Sequence, residues 1–322
     1  MKVWVVGRRG LLGGGVEIES KSFGEIFVPS ENFIWSDSTK LGRQFSDRCR
    51  QFSQIVGLQP WTIMWCAGKG TLSSSNEQMD IETLEFEEFL TTVSKNFDED
   101  ALKRGSIFFA STAGGVYARS ENPPFTENTI PQPDSAYGSA KLRQEGILLD
   151  FSESYGTQVV IGRISNLYGA NQDFSKNQGL ISTICNSILR RQPINLFVPL
   201  ETSRNYIHLS DAAKIIVNTM RLVSGQGINN GKHMKLIVAD ENLTVGNILN
   251  VAKSVFRIKP LVTVSAKSKH NEQPRVISFR SVVLTSADSF SKIQFNVGIK
   301  RVMQELRSDF MRNGWRTSSS RN

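Results

Sequence analysis

Cysteine is scarce: Cys49, Cys66 and Cys185 are the only three in 322 residues, far apart, without CxxC spacing or histidine companions. An odd, scattered set excludes a disulfide scaffold, gives no metal-ligand cluster and predicts a reducing, cytoplasmic setting. Long apolar runs are missing too. No stretch reaches the ~18 residues of a membrane helix. The apolar start Val3 to Val6 is broken by Gly7, Arg8 and Arg9, which also excludes a signal peptide, so no membrane partner is expected. Arginine-rich runs and stacking-aromatic motifs are absent as well, and no nucleic-acid partner is expected. What is present is ordinary globular composition, 39% hydrophobic and 21% charged, which excludes wholesale disorder. The formal charge of +8 favours anionic partners, small molecules included.

Short apolar strands alternate with amphipathic stretches through the first half, the pattern of a doubly wound parallel α/β sheet. The expected strands are Lys2 to Val6, Glu25 to Pro29, Asn32 to Ser36, Thr62 to Cys66, Ser106 to Thr112 and Gln158 to Ile164. Helical periodicity runs over Glu77 to Lys95 and Ser135 to Ser154. Beyond Gly169 the texture changes. A helix is expected over Leu180 to Arg191, a strand over Ile194 to Val198, a helix over Asp211 to Arg221, a turn over Gly225 to Gly231, a strand over Lys235 to Ala239 and a Thr244-capped helix to Phe256. Lys267 to Arg275 reads as a loop and the tail from Arg316 as low-complexity. This predicts a Rossmann-type domain over 1–169, to which 207–221 and 235–256 return, and a smaller α/β domain formed mainly by 170–322.

The strand ending at Val6 runs into Gly7-Arg8-Arg9-Gly10-Leu11-Leu12-Gly13, a GxxGxxG variant of the dinucleotide fingerprint. Glycine is needed there so that the backbone can turn tightly and approach a pyrophosphate, while the following helix offers its N–H groups and dipole. NAD sites usually place a carboxylate just after the second strand, and here Pro29-Ser30 stands there with Glu31 beyond. Arg8 and Arg9 could instead pair with an adenosine 2′-phosphate, so NADP is expected, with NAD as the alternative. Asp37 is placed to contact the adenine, and Ala67 lies just past the strand through Cys66, on the expected cofactor edge.

Tyr137-Gly138-Ser139-Ala140-Lys141 sets a phenol and an ammonium four apart, on one helix face. A nearby cation stabilises a phenolate and makes tyrosine usable as an acid or base. The further motifs are Ser111-Thr112 at a strand end, running on to Val116-Tyr117; Arg163 to Gly169; and Ser203 to Asp211. Taken in order with the N-terminal glycines, they resemble the extended short-chain dehydrogenase/reductase family of nucleotide-sugar epimerases, dehydratases and 4-ketoreductases over essentially the whole chain.

The resemblance implies a catalytic set of Thr112, Tyr137 and Lys141. The hydroxyl would bond the reacting oxygen, the tyrosine would exchange its proton, and the lysine would hold the nicotinamide ribose and lower the tyrosine pKa. One residue more than usual separates Thr112 from Val116, so a count back from Val116 lands on Ala113. Alanine cannot do this work, which leaves Thr112, with Ser111 in reserve and near the substrate. The resemblance also implies that Asn166 and Arg204 contact a nucleotide-diphosphate sugar, with Arg280 as a second diphosphate contact, and that the chain pairs into a homodimer through the helices Glu77 to Lys95 and Ser135 to Ser154. His208 is expected to position its segment, and Lys69 is a further candidate for a cofactor contact. Family 4,6-dehydratases carry Thr-Asp-Glu where this chain has Thr112-Ala113-Gly114, which disfavours dehydration. Reduction of a 4-keto sugar nucleotide is the first expectation and 4-epimerisation with tightly bound NAD the second. An inactive NADP-binding scaffold is a third, in a different functional class.

Overall fold

A computed structural model describes residues 1–169, 179–225, 231–258, 260–264 and 274–313. Its first half alternates strand and helix: β1 (Lys2–Val6), α1 (Leu11–Ser20), β2 (Glu25–Phe27), α2 (Ser38–Val56), β3 (Trp61–Trp65), α3 (Asn76–Asn96), α4 (Glu99–Lys103), β4 (Gly105–Thr112), α5 (Ala113–Val116), α6 (Ala136–Tyr155) and β5 (Gln158–Ile164). There follow β6 (Asn166–Tyr168), α7 (Leu180–Arg190), β7 (Ile194–Leu196), β8 (Ser203–His208), α8 (Leu209–Gly225), β9 (Lys232–Ile237), β10 (Asn242–Thr244), α9 (Val245–Phe256), β11 (Val262–Val264) and α10 (Phe295–Asn313). The expected turn at Gly225 to Gly231, the loop at Lys267 to Arg275 and the tail from Arg316 fall mostly or wholly outside the described residues.

Six parallel strands form the central sheet in the order β2-β1-β3-β4-β5-β9. β3 is buried along its whole length, as a parallel strand covered on both faces must be. One face carries α2, α3 and α6 over an aromatic core in which Trp4, Phe45, Phe52, Trp65 and Phe89 pack ring against ring, Trp65 and Phe89 at 4.6 Å. The other face carries α1 and α8 over an aliphatic core of Val3, Val5, Val16, Ile215 and Ile216. The architecture is Rossmann-type α/β with helices on both faces of the sheet.

Three details of the sequence reading are corrected. The expected strand Asn32 to Ser36 is an irregular segment. Its Phe33 and Trp35 rings do enter the aromatic core, but its backbone is satisfied locally, the Ile34 N–H donating to Gln44 Oε1 and Gln44 Nε2 donating to the Asn32 carbonyl. With those groups bonded to a side chain, no ladder to β2 is needed. Two long helices, α2 and α10, and the short α4 and α5 are not among the expected elements, although α2 buries Leu41, Phe45, Cys49, Phe52 and Val56 at helical spacing. In the third case only part of 235–256 joins the large sheet. β9 pairs with β5, whereas α9 buries Val245, Ile248 and Ala252 against α7 and α10 in a separate core with Ile184, Ile188, Ile299 and Val302. This smaller unit also holds the parallel pair β7 and β11. Between the two cores lies a three-stranded sheet, β10-β8-β6.

A buried polar network ties β4 and β5 to α6 beneath the sheet's carboxyl edge. Arg163 forks onto Glu145, Nη2 to Oε2 at 2.6 Å and Nε to Oε1 at 3.1 Å, and its Nη1 donates to the Tyr117 hydroxyl. Both charges are almost wholly buried, so each must be matched by the other.

Candidate active site

The chain runs from β1 outward to β2 and then crosses back to β3, which makes the carboxyl ends of β1 and β3 the switch point where such sheets bind ligands. Gly7 turns the chain there with φ +87°, and a Cβ on it would lie 2.6 Å from the Ala67 nitrogen. Gly13 lets α1 close onto the same turn, since a Cβ there would overlap the Gly7 carbonyl oxygen. Gly10 is the N-cap of α1, with no side-chain cap and no acidic residue in the first turn. Leu11 and Leu12 open the helix, and Leu12 packs on the aliphatic core. The start of α1 therefore offers the N–H groups that a helix leaves outside its own ladder, and a dipole with no acidic side chain in the first turn, in a cradle too tight for side chains, and these residues fit a dinucleotide pyrophosphate.

The two loop arginines differ. Arg8 forks onto Glu17 of α1, its Nη2 donating to Oε1 at 2.8 Å and its Nε to Oε2, and this bonding holds the guanidinium pKa above its ordinary value. Arg9 is exposed and has no side-chain partner among the described residues. Asp37 is committed to the N-cap of α2, accepting the Lys40 N–H at 3.0 Å and pairing with the Lys40 ammonium.

The three residues of the expected catalytic set converge. Thr112 ends β4, and its hydroxyl accepts the Gly115 N–H at 3.2 Å, while the Tyr137 ring borders the same glycine. Lys141 Nζ lies 5.9 Å from the centre of the Tyr137 ring. That ring stands between two glycines. Side chains at Gly70 and Gly115 would approach its carbons to 3.0 and 3.3 Å. Burial pushes the phenol pKa up, Lys141 opposes this, Glu82 adds to it and Thr112 opposes it, leaving a net rise. Tyr137 is thus a protonated acid at neutral pH. The extra residue before Val116 is taken up by α5, a single helical turn that Thr112 caps, with Ala113 wholly buried. Ser111 alternates to the other side of β4 and donates to Glu145 at 2.5 Å, in the buried network.

Sequence reasoning missed Glu82 and Gln144. Lys141 Nζ donates to Glu82 Oε1 at 2.9 Å and to Gln144 Oε1 at 3.0 Å, all three residues being buried. The signal was there: Glu82 is a carboxylate set in the buried stripe Met79, Thr83, Phe86, Leu90 of α3. On the expected substrate side, Asn166 donates to the Asn205 carbonyl at 2.9 Å, and Arg204 Nη1 donates to the carbonyls of Ser203 and Arg275. Arg280 has an exposed side chain, with its backbone N–H bonded to Phe125. His208 accepts the Ser210 N–H through Nδ1, and burial lowers its pKa to about 4, so it sits neutral in a positioning place. Lys69 is exposed and meets the site through its backbone N–H, which donates to Glu82. Among the described residues no group of three His, Cys, Asp or Glu could hold a metal ion, and no helix is long and apolar enough to cross a membrane.

The profile of the NAD dependent epimerase/dehydratase family matches residues 45–231, more than half of the chain. The chain belongs to this family of enzymes. A similar curated relative is the dTDP-4-dehydro-6-deoxyglucose reductase of Escherichia coli, 26% identical over 89% of this chain and 79% of that protein. Among solved structures, the UDP-glucose 4-epimerase of Thermotoga maritima, determined with UDP-glucose, superposes with a TM-score of 0.76 at 20% identity, covering 96% of this chain and 100% of that one. RMD from Pseudomonas aeruginosa, complexed with NADPH, gives 0.76 at 15% identity over 95% and 99%.

The glycine cradle of Tyr137 can be tested directly. A Cβ at Gly70 would stand 2.6 Å from Met79 Sδ and 3.0 Å from the tyrosine ring, so in Gly70→Ala the thioether must swing aside and the ring must give by a few tenths of an ångström. On the scale where a misplacement of about 1 Å costs roughly 100-fold, that shift should lower turnover by a few-fold. Steady-state kinetics and a melting curve check this, and wild-type turnover in the variant rejects the cradle.

Proposed function

We propose that the protein reduces the 4-keto group of a nucleotide-diphosphate sugar with NADPH. The observation that carries this reading is the convergence of Thr112, a protonated Tyr137 and Lys141 on the same carboxyl edge of the sheet as the glycine turn. A ketone oxygen that gains a hydride on its carbon must also gain a proton, and a buried phenol flanked by an ammonium is built to give one. The nicotinamide supplies the hydride when bound. Gly7, Gly10, Leu11, Leu12 and Gly13 hold its pyrophosphate, with Ala67 beside them. Lys141 turns a donor to the ribose and Thr112 bonds the carbonyl oxygen. Asn166, Arg204 and Arg280 serve the sugar nucleotide. The extent of the likeness to the Escherichia coli reductase favours reduction over 4-epimerisation, the second reading, in which the hydride returns to the sugar from a retained NAD.

The deciding experiment releases any bound dinucleotide from the purified protein, then follows NADPH absorbance with dTDP-, UDP- or GDP-linked 4-keto sugars. Stoichiometric NADPH oxidation is expected, and Tyr137→Phe should lose ~10²–10⁴-fold in rate. Tightly bound NAD with interconversion of 4-epimers, and no NADPH oxidation, would replace reduction by epimerisation. Turnover of Tyr137→Phe near wild type would remove the acid role.

Preference for NADP rests on Arg9, since Glu17 already neutralises Arg8. Calorimetric titration should show NADP binding more tightly than NAD, with Arg9→Ala losing roughly tenfold of NADP affinity, the worth of one charge-assisted bond. Equal affinities in the variant and the wild type reject it.

The homodimer reading rests on α3, which leaves Ile81 and Leu84 about 60% exposed beside α6. Light scattering should give twice the chain mass at micromolar concentration, and a monomer there rejects the pairing.

A further inference from the structure

We propose that Glu82 is a positioning residue of the reaction centre, one carboxylate that fixes the Lys141 ammonium, clamps the loop behind Tyr137 and balances the charge the tyrosine feels. The proposal rests on the reading that Tyr137 and Lys141 manage the proton, and it adds a group outside that set.

The geometry assigns each oxygen of Glu82 a separate task. Oε1 takes the Lys141 ammonium at 2.9 Å, and Oε2 takes the N–H groups of Lys69 and Gly70, each at 2.8 Å. The loop is shaped for this. Gly68 has φ +148°, and a Cβ on it would lie 2.9 Å from Glu82 Oε1, so the chain can wrap the carboxylate only with glycine there. Gly70, held by the same oxygen, is one wall of the Tyr137 cradle. A shift of Glu82 would therefore move the lysine and the tyrosine's surroundings together.

An ammonium has three donors. Lys141 spends two on Glu82 and Gln144, and Gln144 is itself tied to the Thr83 hydroxyl at 3.1 Å, which bonds the Met79 carbonyl. One donor is left, with its direction set by the other two. That is the donor available to a ribose hydroxyl. The chain Met79, Thr83, Gln144, Lys141 and Glu82 thus makes α3 a template for a lysine on α6.

The charge balance has a chemical consequence. Tyr137 is faced by Lys141 from α6, Glu82 from α3 and the Thr112 hydroxyl from β4. Glu82 is faced by Lys141, by the two loop amides and by Glu85 one turn along α3, which in turn feels Lys69 and Glu88. Burial alone would raise the Glu82 pKa, yet Lys141 and the loop amides hold it below the usual carboxylate range, so it stays ionised. An unbalanced ammonium would draw the phenol toward phenolate, the form that accepts a proton. Paired with Glu82, it leaves Tyr137 protonated, the form that donates one.

The test is a titration of tyrosinate absorbance in the near ultraviolet, which needs no substrate. The spectrum of each protein minus that of its Tyr137→Phe derivative isolates Tyr137. In Glu82→Gln the Tyr137 midpoint should fall by roughly one pH unit, because a negative charge several ångströms away is removed in a partly desolvated site. In Glu82→Asp, which keeps the charge, it should stay near wild type. The pH profile of kcat with NADPH and dTDP-4-dehydro-6-deoxyglucose should shift in the same sense, with KM little changed. An unmoved midpoint in folded Glu82→Gln overturns the proposal. Should Glu82→Gln fail to fold, Glu82→Asp decides. Its shorter arm cannot reach Lys141 and the loop amides together, so kcat should drop about tenfold at constant KM, and wild-type kcat overturns the proposal. The reading beneath fails separately, through a Tyr137→Phe variant that turns over.

Discussion

A lysine ammonium taken out of water must be matched by a carboxylate or lose its proton, and the site is arranged around that requirement. Lys141 is 4% exposed, and Glu82 meets it from α3 across the helix interface. The same carboxylate gathers the backbone of the loop that follows β3, so the sheet, the two helices and the tyrosine are placed by one charge pair. A second buried pair, Arg163 with Glu145, does for the other side of α6 what Glu82 does for this one, tying it to β5. The helix that carries Tyr137 is thus held from two directions by ions that cannot separate cheaply.

The glycine-turn side of the crevice follows a different constraint, backbone proximity. Gly7, Gly13 and Ala67 touch where a side chain has no room, and Gly15 continues the close packing by admitting Leu209 of α8 against α1. Because the N-terminus of α1 carries neither a capping side chain nor an acidic first turn, its N–H groups stay available to an anion. One anionic side chain does lie near, Glu17, and it is spent on Arg8. The electrostatics at the glycine turn therefore come from the helix and Arg9.

Where a residue's type and its spacing pointed to the same place, the sequence was enough. The glycine turn and the Tyr137–Lys141 pair lie on the elements expected of them, and the parallel sheet follows from the strand alternation. Part of what escaped depended on partners distant in the chain. Asn32 to Ser36 reads as a strand because Phe33 and Trp35 alternate with polar residues, yet Gln44 satisfies its backbone and removes the need for a ladder. α2 was overlooked because its apolar stripe is diluted by lysine, arginine and glutamine, although Asp37 stood ready as its cap. Asp37 caps α2, and spacing by itself does not separate a cap from a ligand contact. Glu82 is the sharpest instance. It lies 59 residues from Lys141, and only the packing of α3 on α6 makes them neighbours.

Ser111 and Thr112 show how finely the fold divides such roles. They are adjacent, chemically alike and on one strand, so alternation sends their hydroxyls to opposite sides. Ser111 joins the buried Glu145 network, while Thr112 faces Tyr137. One residue more than the family's usual spacing follows Thr112. Folding Ala113 to Val116 into a helical turn accommodates it, and the hydroxyl that caps this turn borders the same glycine as the Tyr137 ring. Thr112 therefore has its orientation set by the backbone it caps. A departure from the family's spacing is thus accommodated in a turn that fixes the hydroxyl at the end of its strand.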